Sequence, residues 1–171
     1  MQEMITYVIS YLLHNFPLVM LILALLLAIL NLSNFAKKFS QYIFALPIGL
    51  SGIWGFVMHA FFPQLASAAI GWESSPFEFE VAIANLAIGI SGLFASRGSR
   101  GYRAATATTV SIFLWGAALG HLYQMLAINN FNPGNAGSIF WTDILIPFTA
   151  WFALLLTEKE AKIDIPRYKD L

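Results

Sequence analysis

The sequence predicts an all-α bundle of five membrane-spanning helices, and three observations predict it. Hydrophobic residues make up 58% of the 171 and charged residues only 11%, against roughly a quarter charged in an ordinary soluble domain. Five apolar stretches are long enough, or nearly so, to cross about 30 Å of hydrocarbon as helices. Every basic residue falls in alternate connections between those stretches. With a mean hydropathy of +0.71, this composition excludes a disordered chain, a nucleic-acid binder and an ordinary cytosolic enzyme. The absence of Cys excludes disulfides, thiol catalysis, CxxC zinc sites and iron–sulfur clusters.

The first span runs from about Pro17 to Leu32 and can be extended backwards by the amphipathic Met4–Leu13 segment. The others are expected at about Tyr42–Phe62, Phe77–Ser96, Ala104–Ile128 and Ile139–Thr157. Residues 1–157 then form one transmembrane bundle and 158–171 a solvated tail, in which Glu158 and Lys162 are spaced for an i,i+4 pair and Pro166 ends any helix. Strands are excluded, because an open sheet in lipid leaves backbone groups unpaired and no stretch has the period-2 alternation of a barrel strand. A cleavable signal peptide is disfavoured: no basic residue precedes the first apolar run, and Asn31 and Asn34 do not form a small-residue cleavage site.

Charge sets the orientation. Lys37 and Lys38 follow span one, Arg97, Arg100 and Arg103 separate spans three and four, and Lys159, Lys162, Arg167 and Lys169 follow span five. The connections 63–76 and 129–138 carry none, so the positive-inside rule places the N-terminus outside and the C-terminus in the cytoplasm of a bacterial cell membrane. An even span count would put basic clusters on both sides. The Asn31-Leu32-Ser33 sequon lies on the cytoplasmic side and is discounted as a glycosylation site.

Inside lipid, helices associate through small residues and shared hydrogen bonds. Gly49, Gly52 and Gly55 in span two, Ala82 to Gly92 in span three, and Gly116, Ala117 and Gly120 in span four offer smooth faces. These serve internal packing or a homo-oligomer contact. Pro47 and Pro147 cannot donate to the carbonyls of Ile43 and Asp143.

Ionisable residues inside spans are expensive and mark function. His59, Glu80, His121 and Asp143 come from four different spans, each within about 10 Å of the outer boundary at 1.5 Å per residue. His59 shares a face with Gly52 and Gly55; Glu80 with Ala84, Ala87 and Ser91; His121 with Leu114, Ala117 and Gln124; Asp143 with Pro147, Ala150 and Leu154. Glu78 is set apart, because Ser75-Pro76-Phe77-Glu78 reads as a capping box. Two imidazoles and two carboxylates suit Fe, Mn or Zn, although no HExxH or ExxH spacing occurs. The same residues suit structural ion pairs, or a pocket for a proton, a small polar ligand or a lipid-soluble substrate. His14 reads as a boundary residue, and Trp72, Trp141, Tyr123 and Phe62 as an interfacial aromatic belt. The Asn- and Gly-rich loop 129–137, with Asn135 at its centre, reads as turn chemistry or as a compact lid over the cluster.

Gly71-Trp72, Ser75-Pro76-Phe77-x-x-Glu80, Gly120-His121, Asn129, Gly134-Asn135-x-Gly137 and Thr142-Asp143 together resemble an uncharacterised family of small multi-pass bacterial membrane proteins. The resemblance covers about residues 50–150 and coincides with Glu80, His121 and Asp143; His59 fits it least. It implies a membrane bundle and transfers no catalytic role.

Three functions are open at this point. The first is a ligand-binding or catalytic bundle with an outer-leaflet pocket lined by Glu80, His121, Asp143, Asn135 and Gln124. The second is a structural or accessory subunit whose polar residues only hold the bundle or an oligomer together. The third, transport, is disfavoured by the odd span count, the lack of a repeat and the nearly uncharged inner two-thirds.

Overall fold

The computed structural model describes Met4 and residues 11–163, with side chains placed up to Thr157. Among the described residues all regular structure is helical. The elements are α1 (Phe16–Ile29), α2 (Leu32–Phe61), α3 (Pro63–Ile70), α4 (Phe77–Arg97), α5 (Arg100–Ile128), α6 (Pro133–Ala136) and α7 (Ser138–Ile163). Within α2, a 3₁₀ turn leads into an α segment, a π-helical stretch Phe44–Leu50 and a second α segment. The π stretch contains Pro47, whose missing N–H interrupts the α ladder and whose ring needs the wider turn.

Among the described residues four apolar helices are long enough to cross a membrane: Leu32–Phe61, Phe77–Arg97, Arg100–Ile128 and the run Pro133–Thr157. The fifth expected span, α1, is the short one: its 14 residues reach about 21 Å. Boundaries also shift. α2 begins a full ten residues before the expected Tyr42, and Arg100 and Arg103 lie inside the first turn of α5 rather than in a loop. Ser99 starts that helix, its hydroxyl accepting from the Tyr102 N–H at 3.3 Å. The connection 63–76 contains the unexpected helix α3, opened by Pro63 and closed by Gly71 in the left-handed region at φ 71°. The Glu158–Lys162 pair and the Pro166 helix stop fall outside the described side chains and residues.

Tight packing between α2 and α4 organises the bundle. A Cβ added at Gly52 would stand 2.7 Å from the Gly89 Cα, and one at Gly89 2.7 Å from the Ile53 nitrogen. Two helix backbones therefore touch directly. Gly92 lies against Ile48 and the Gly49 nitrogen in the same way. By contrast Gly116 on α5 has nothing within 4 Å, so part of the smooth face on that helix is unused inside the chain. Phe39, Ile43, Phe44, Val110, Ile146 and Leu154 form the apolar core between α2, α5 and α7. Leu26, Phe94, Ile112, Leu126 and Phe148 point outward.

The two ends of the bundle differ in chemistry. At one end Arg103 donates to the carbonyls of Ala95 (2.8 Å) and Ser96 (2.9 Å) and to the Ser40 hydroxyl (3.1 Å). One guanidinium thus satisfies carbonyls left over at the end of α4 and ties them to α2. Lys37, Lys38, Arg97 and Arg100 belong to the same end by chain order. At the other end the start of α1 meets the start of α7, where the Ser138 hydroxyl donates to the Asn15 side-chain carbonyl. That end also carries α3, α6 and the histidines.

The backbone contact makes a prediction. Gly89→Val inserts branched carbon where there is no room and lowers stability by about 2–3 kcal/mol. Gly116→Ala, in open space on a helix, raises it by up to about 1 kcal/mol. Thermal melting of both variants in mild detergent checks the contrast.

Candidate functional site

The site begins with one buried amide. Asn135 sits on the single turn α6, fully buried, and an amide side chain offers two acceptor positions and two donors. All four are used. Oδ1 accepts from Trp72 Nε1 at 3.0 Å and faces His121 Nδ1 at 2.8 Å. Nδ2 donates to the His121 carbonyl (3.2 Å) and the Asn130 carbonyl (2.9 Å). Because Nδ2 is committed to carbonyls, Oδ1 is the acceptor and His121 Nδ1 must carry its proton. Trp72 packs against the same imidazole, ring centroids 5.3 Å apart.

The surrounding loop is shaped for this. Asn129 ends α5 in the left-handed conformation. Asn130 Nδ2 donates to the Ile70 carbonyl at 2.9 Å, an orphan at the end of α3, and its Oδ1 accepts from the Asn132 N–H. Gly71 has no room for a side chain, since its Cβ would collide with the Asn132 amide. Loop 129–137 and α3 therefore form one hydrogen-bonded cover over the end of the bundle.

With Nδ1 engaged, the other nitrogen of His121 points at α7, where Nε2 lies 3.7 Å from Asp143 Oδ2. Both residues are buried, Asp143 with 8% exposure. The Asp143 carboxylate accepts no hydrogen bond from any described residue, and 3.7 Å exceeds the 2.7–2.9 Å of a charge-assisted bond. Pair and cover border a cavity of about 730 Å³ that reaches from α1 to α7. Its wall is largely apolar, with Trp54, Met58, Phe113 and Ile146 among the lining groups. The polar exceptions include His14, Ser51, His59, Asn85, His121 and Asp143. The Ser51 hydroxyl is buried with no hydrogen-bond partner among the described residues.

The sequence-expected residues divide into two groups. His121, Asp143 and Asn135 come together as described. His59 lines the cavity from α2, and its Nδ1 is 3.6 Å from Glu78 Oε2. That nitrogen and both Glu78 oxygens are buried and make no hydrogen bond among the described residues. The two glutamates exchange the places expected for them. Glu80 is exposed and does not border the cavity, and of its face-mates Ala87 is exposed while Ala84 and Ser91 are half-buried and off the cavity wall. No side-chain cap forms at the start of α4, so the capping-box role of Glu78 is corrected: its carboxylate turns inward on the line Glu78, Ala82, Asn85, Gly89, Gly92 that packs on α2. Gln124 is half-buried outside the cavity wall, and its backbone carbonyl accepts from the Asn130 N–H at 3.0 Å.

The expected metal set of His59, Glu80, His121 and Asp143 is also corrected. No group of three His, Asp or Glu side chains among the described residues converges to hold an ion. His121 pairs with Asp143, His59 pairs with Glu78 rather than with a member of the expected set, and Glu80 faces outward, so Fe, Mn or Zn has no ligand sphere there. Sequence reasoning missed Trp72 as a hydrogen-bond donor, having placed it in an aromatic belt. It also missed Ser51, whose i,i+4,i+8 spacing with Gly55 and His59 was the available signal.

Fold and site thus define an all-helical protein with four helices of membrane-crossing length and a buried acid–imidazole pair beside an apolar cavity. The chain belongs to a family of unknown function, DUF6790, whose model matches residues 14–163. No curated protein and no solved structure matches the chain.

The amide network makes a prediction. Asn135→Asp preserves shape but removes both donors and sets a carboxylate oxygen against the His121 and Asn130 carbonyls, at about 1–3 kcal/mol each. Stability falls by about 2–5 kcal/mol, whereas Gln124→Ala costs under about 1 kcal/mol. Melting of the two variants in detergent separates the network from its flank.

Proposed function

We propose that the chain is a five-span protein of the bacterial cell membrane, with its N-terminus outside, its C-terminus in the cytoplasm, and a binding cavity for a small lipid-soluble ligand near the extracytoplasmic face. Residues 1–157 make up the membrane bundle and 158–171 the cytoplasmic tail. Support for the fifth span comes from backbone bonds Asn15 N to Tyr11 O and Val19 N to Asn15 O, which carry the helical ladder from Tyr11 to Leu30. With that turn joined to α1 across Asn15, the segment reaches toward the roughly 30 Å of a hydrocarbon layer. Support for the orientation comes from the gathering of Arg103 and its basic neighbours at one end.

The observation that carries the binding reading is Asp143, buried beside His121 on the wall of a largely apolar cavity and hydrogen-bonded to no described residue. A buried carboxylate without hydrogen bonds is costly. A bundle that needed polar braces alone would bond it, as it bonds Asn135. Cavities of a few hundred Å³ with apolar walls and a few convergent polar groups are the usual form of small-molecule sites. His121 and Asp143 act as the polar anchor, and Asn135 positions His121. The competing structural-subunit reading treats both acid–imidazole pairs as braces and requires no occupant.

An apolar photoreactive diazirine in the membrane tests the cavity. It should label Trp54 or Met58 on the wall, and Ala117→Phe, which fills the space one turn from His121, should suppress that label without lowering the melting temperature. Labelling confined to outward residues such as Phe94 and Ile112, with Trp54 and Met58 untouched, would leave the brace reading.

A further inference from the structure

We infer that the cavity is selective for charge and takes a lipophilic monocation: an amine or quaternary ammonium carried on an apolar body. The inference rests on the reading of the cavity as a binding site and adds the class of its ligand.

Three observations point the same way. The first is the state of the carboxylates. Asp143 faces the cavity with 8% exposure and no hydrogen bond to a described residue. Glu78, directly behind the cavity-lining His59, has two buried and unbonded oxygens. Among the described residues each acid pairs with one imidazole, at 3.6–3.7 Å. At that range neither histidine makes the short hydrogen bond that would offset the desolvation of the acid. A ligand N–H can approach to about 2.8 Å and supply that bond.

The second is the absence of a competing cation. Among the described residues no Lys or Arg lines the cavity. Arg103 is committed to Ala95, Ser96 and Ser40 at the opposite end, where Lys37, Lys38, Arg97 and Arg100 also lie by chain order. A carboxylate or phosphate ligand would meet acids and no fixed positive charge, a combination that costs affinity for anions.

The third is the aromatic wall. Trp54, Trp72 and Phe113 all border the cavity, and an indole face attracts a desolvated cation through its quadrupole. The volume of about 730 Å³ leaves room for an apolar body behind the charged nitrogen, along Met58, Leu114 and Ile146.

Three probes built on one hydrocarbon cage test the inference: 1-adamantylamine, 1-adamantanol and 1-adamantanecarboxylate. Each is titrated by calorimetry into the full chain in zwitterionic nanodiscs, with empty nanodiscs subtracted. The amine should bind about tenfold or more tighter than the alcohol, as a charge-assisted bond requires, and the carboxylate should give no saturable heat. Asp143→Asn should bring amine and alcohol within about threefold of each other while binding of the alcohol persists. Equal affinities for amine and alcohol in the unaltered protein, or a preference for the carboxylate, overturn the charge class and leave the cavity reading standing. Failure of all three, together with an absence of diazirine label on Trp54 and Met58, overturns the cavity reading itself.

Discussion

Everything at the histidine end of this bundle depends on the side chain of Asn135. Its four hydrogen bonds join the end of α5, the loop after it and Trp72 beyond α3. In a medium without water, an amide must find all its partners within the protein, and here it does. The consequence reaches further than stability. Fixing the proton on His121 Nδ1 leaves Nε2 as the reactive nitrogen, and the backbone of α5 aims it at Asp143. Such orientation of one imidazole nitrogen through a bond to the other is how proteins select a tautomer. Asp143, the partner in the pair, receives no comparable support.

The bundle is built so that dense and open regions lie side by side. Gly52 and Gly89 bring two backbones into contact, and the residues that continue upward from Gly52 on the same side, Gly55 and His59, already border the cavity. Pro47 and Ile48, within the π-helical stretch, border it from below. Departures from the α ladder recur at functional sites because they re-aim the residues that follow, and Ser51 is the next inward residue after the π turn. Small residues thus permit close packing in one layer and leave unfilled space in the next.

Much of the architecture was legible in the sequence. Low charge, long apolar runs and alternate basic connections led to a helical bundle. The faces shared by His59 with Gly55 and by His121 with Ala117 agree with their places on the cavity wall, whereas the phase of Asp143 was not diagnostic. The error at Glu80 has a physical origin. The capping-box pattern around Ser75 drew Glu78 out of consideration, yet Glu78 stands four, seven and eleven residues before Ala82, Asn85 and Gly89, the face that packs on α2. Glycine spacing was the stronger signal, because backbone contact fixes helix rotation more firmly than a surface cap. α3 was overlooked because the connection was treated as a loop, although Pro63 and Gly71 stand at the usual start and stop positions. Arg103 looked like part of a charged connection; its eight-residue reach back to Ala95 depends on tertiary geometry and had no local signature. The fourfold bonding of Asn135 was likewise illegible, since its partners are separated by as many as 63 residues.

The most direct measurement is nitrogen NMR of the protein labelled with ¹⁵N-histidine, the His121 signals being assigned by their loss in His121→Gln. The account predicts a protonated, hydrogen-bonded Nδ1, and an Nε2 resonance that moves when Asp143 is replaced by Asn. A His121 with bare Nδ1, or an Nε2 indifferent to Asp143, would contradict it.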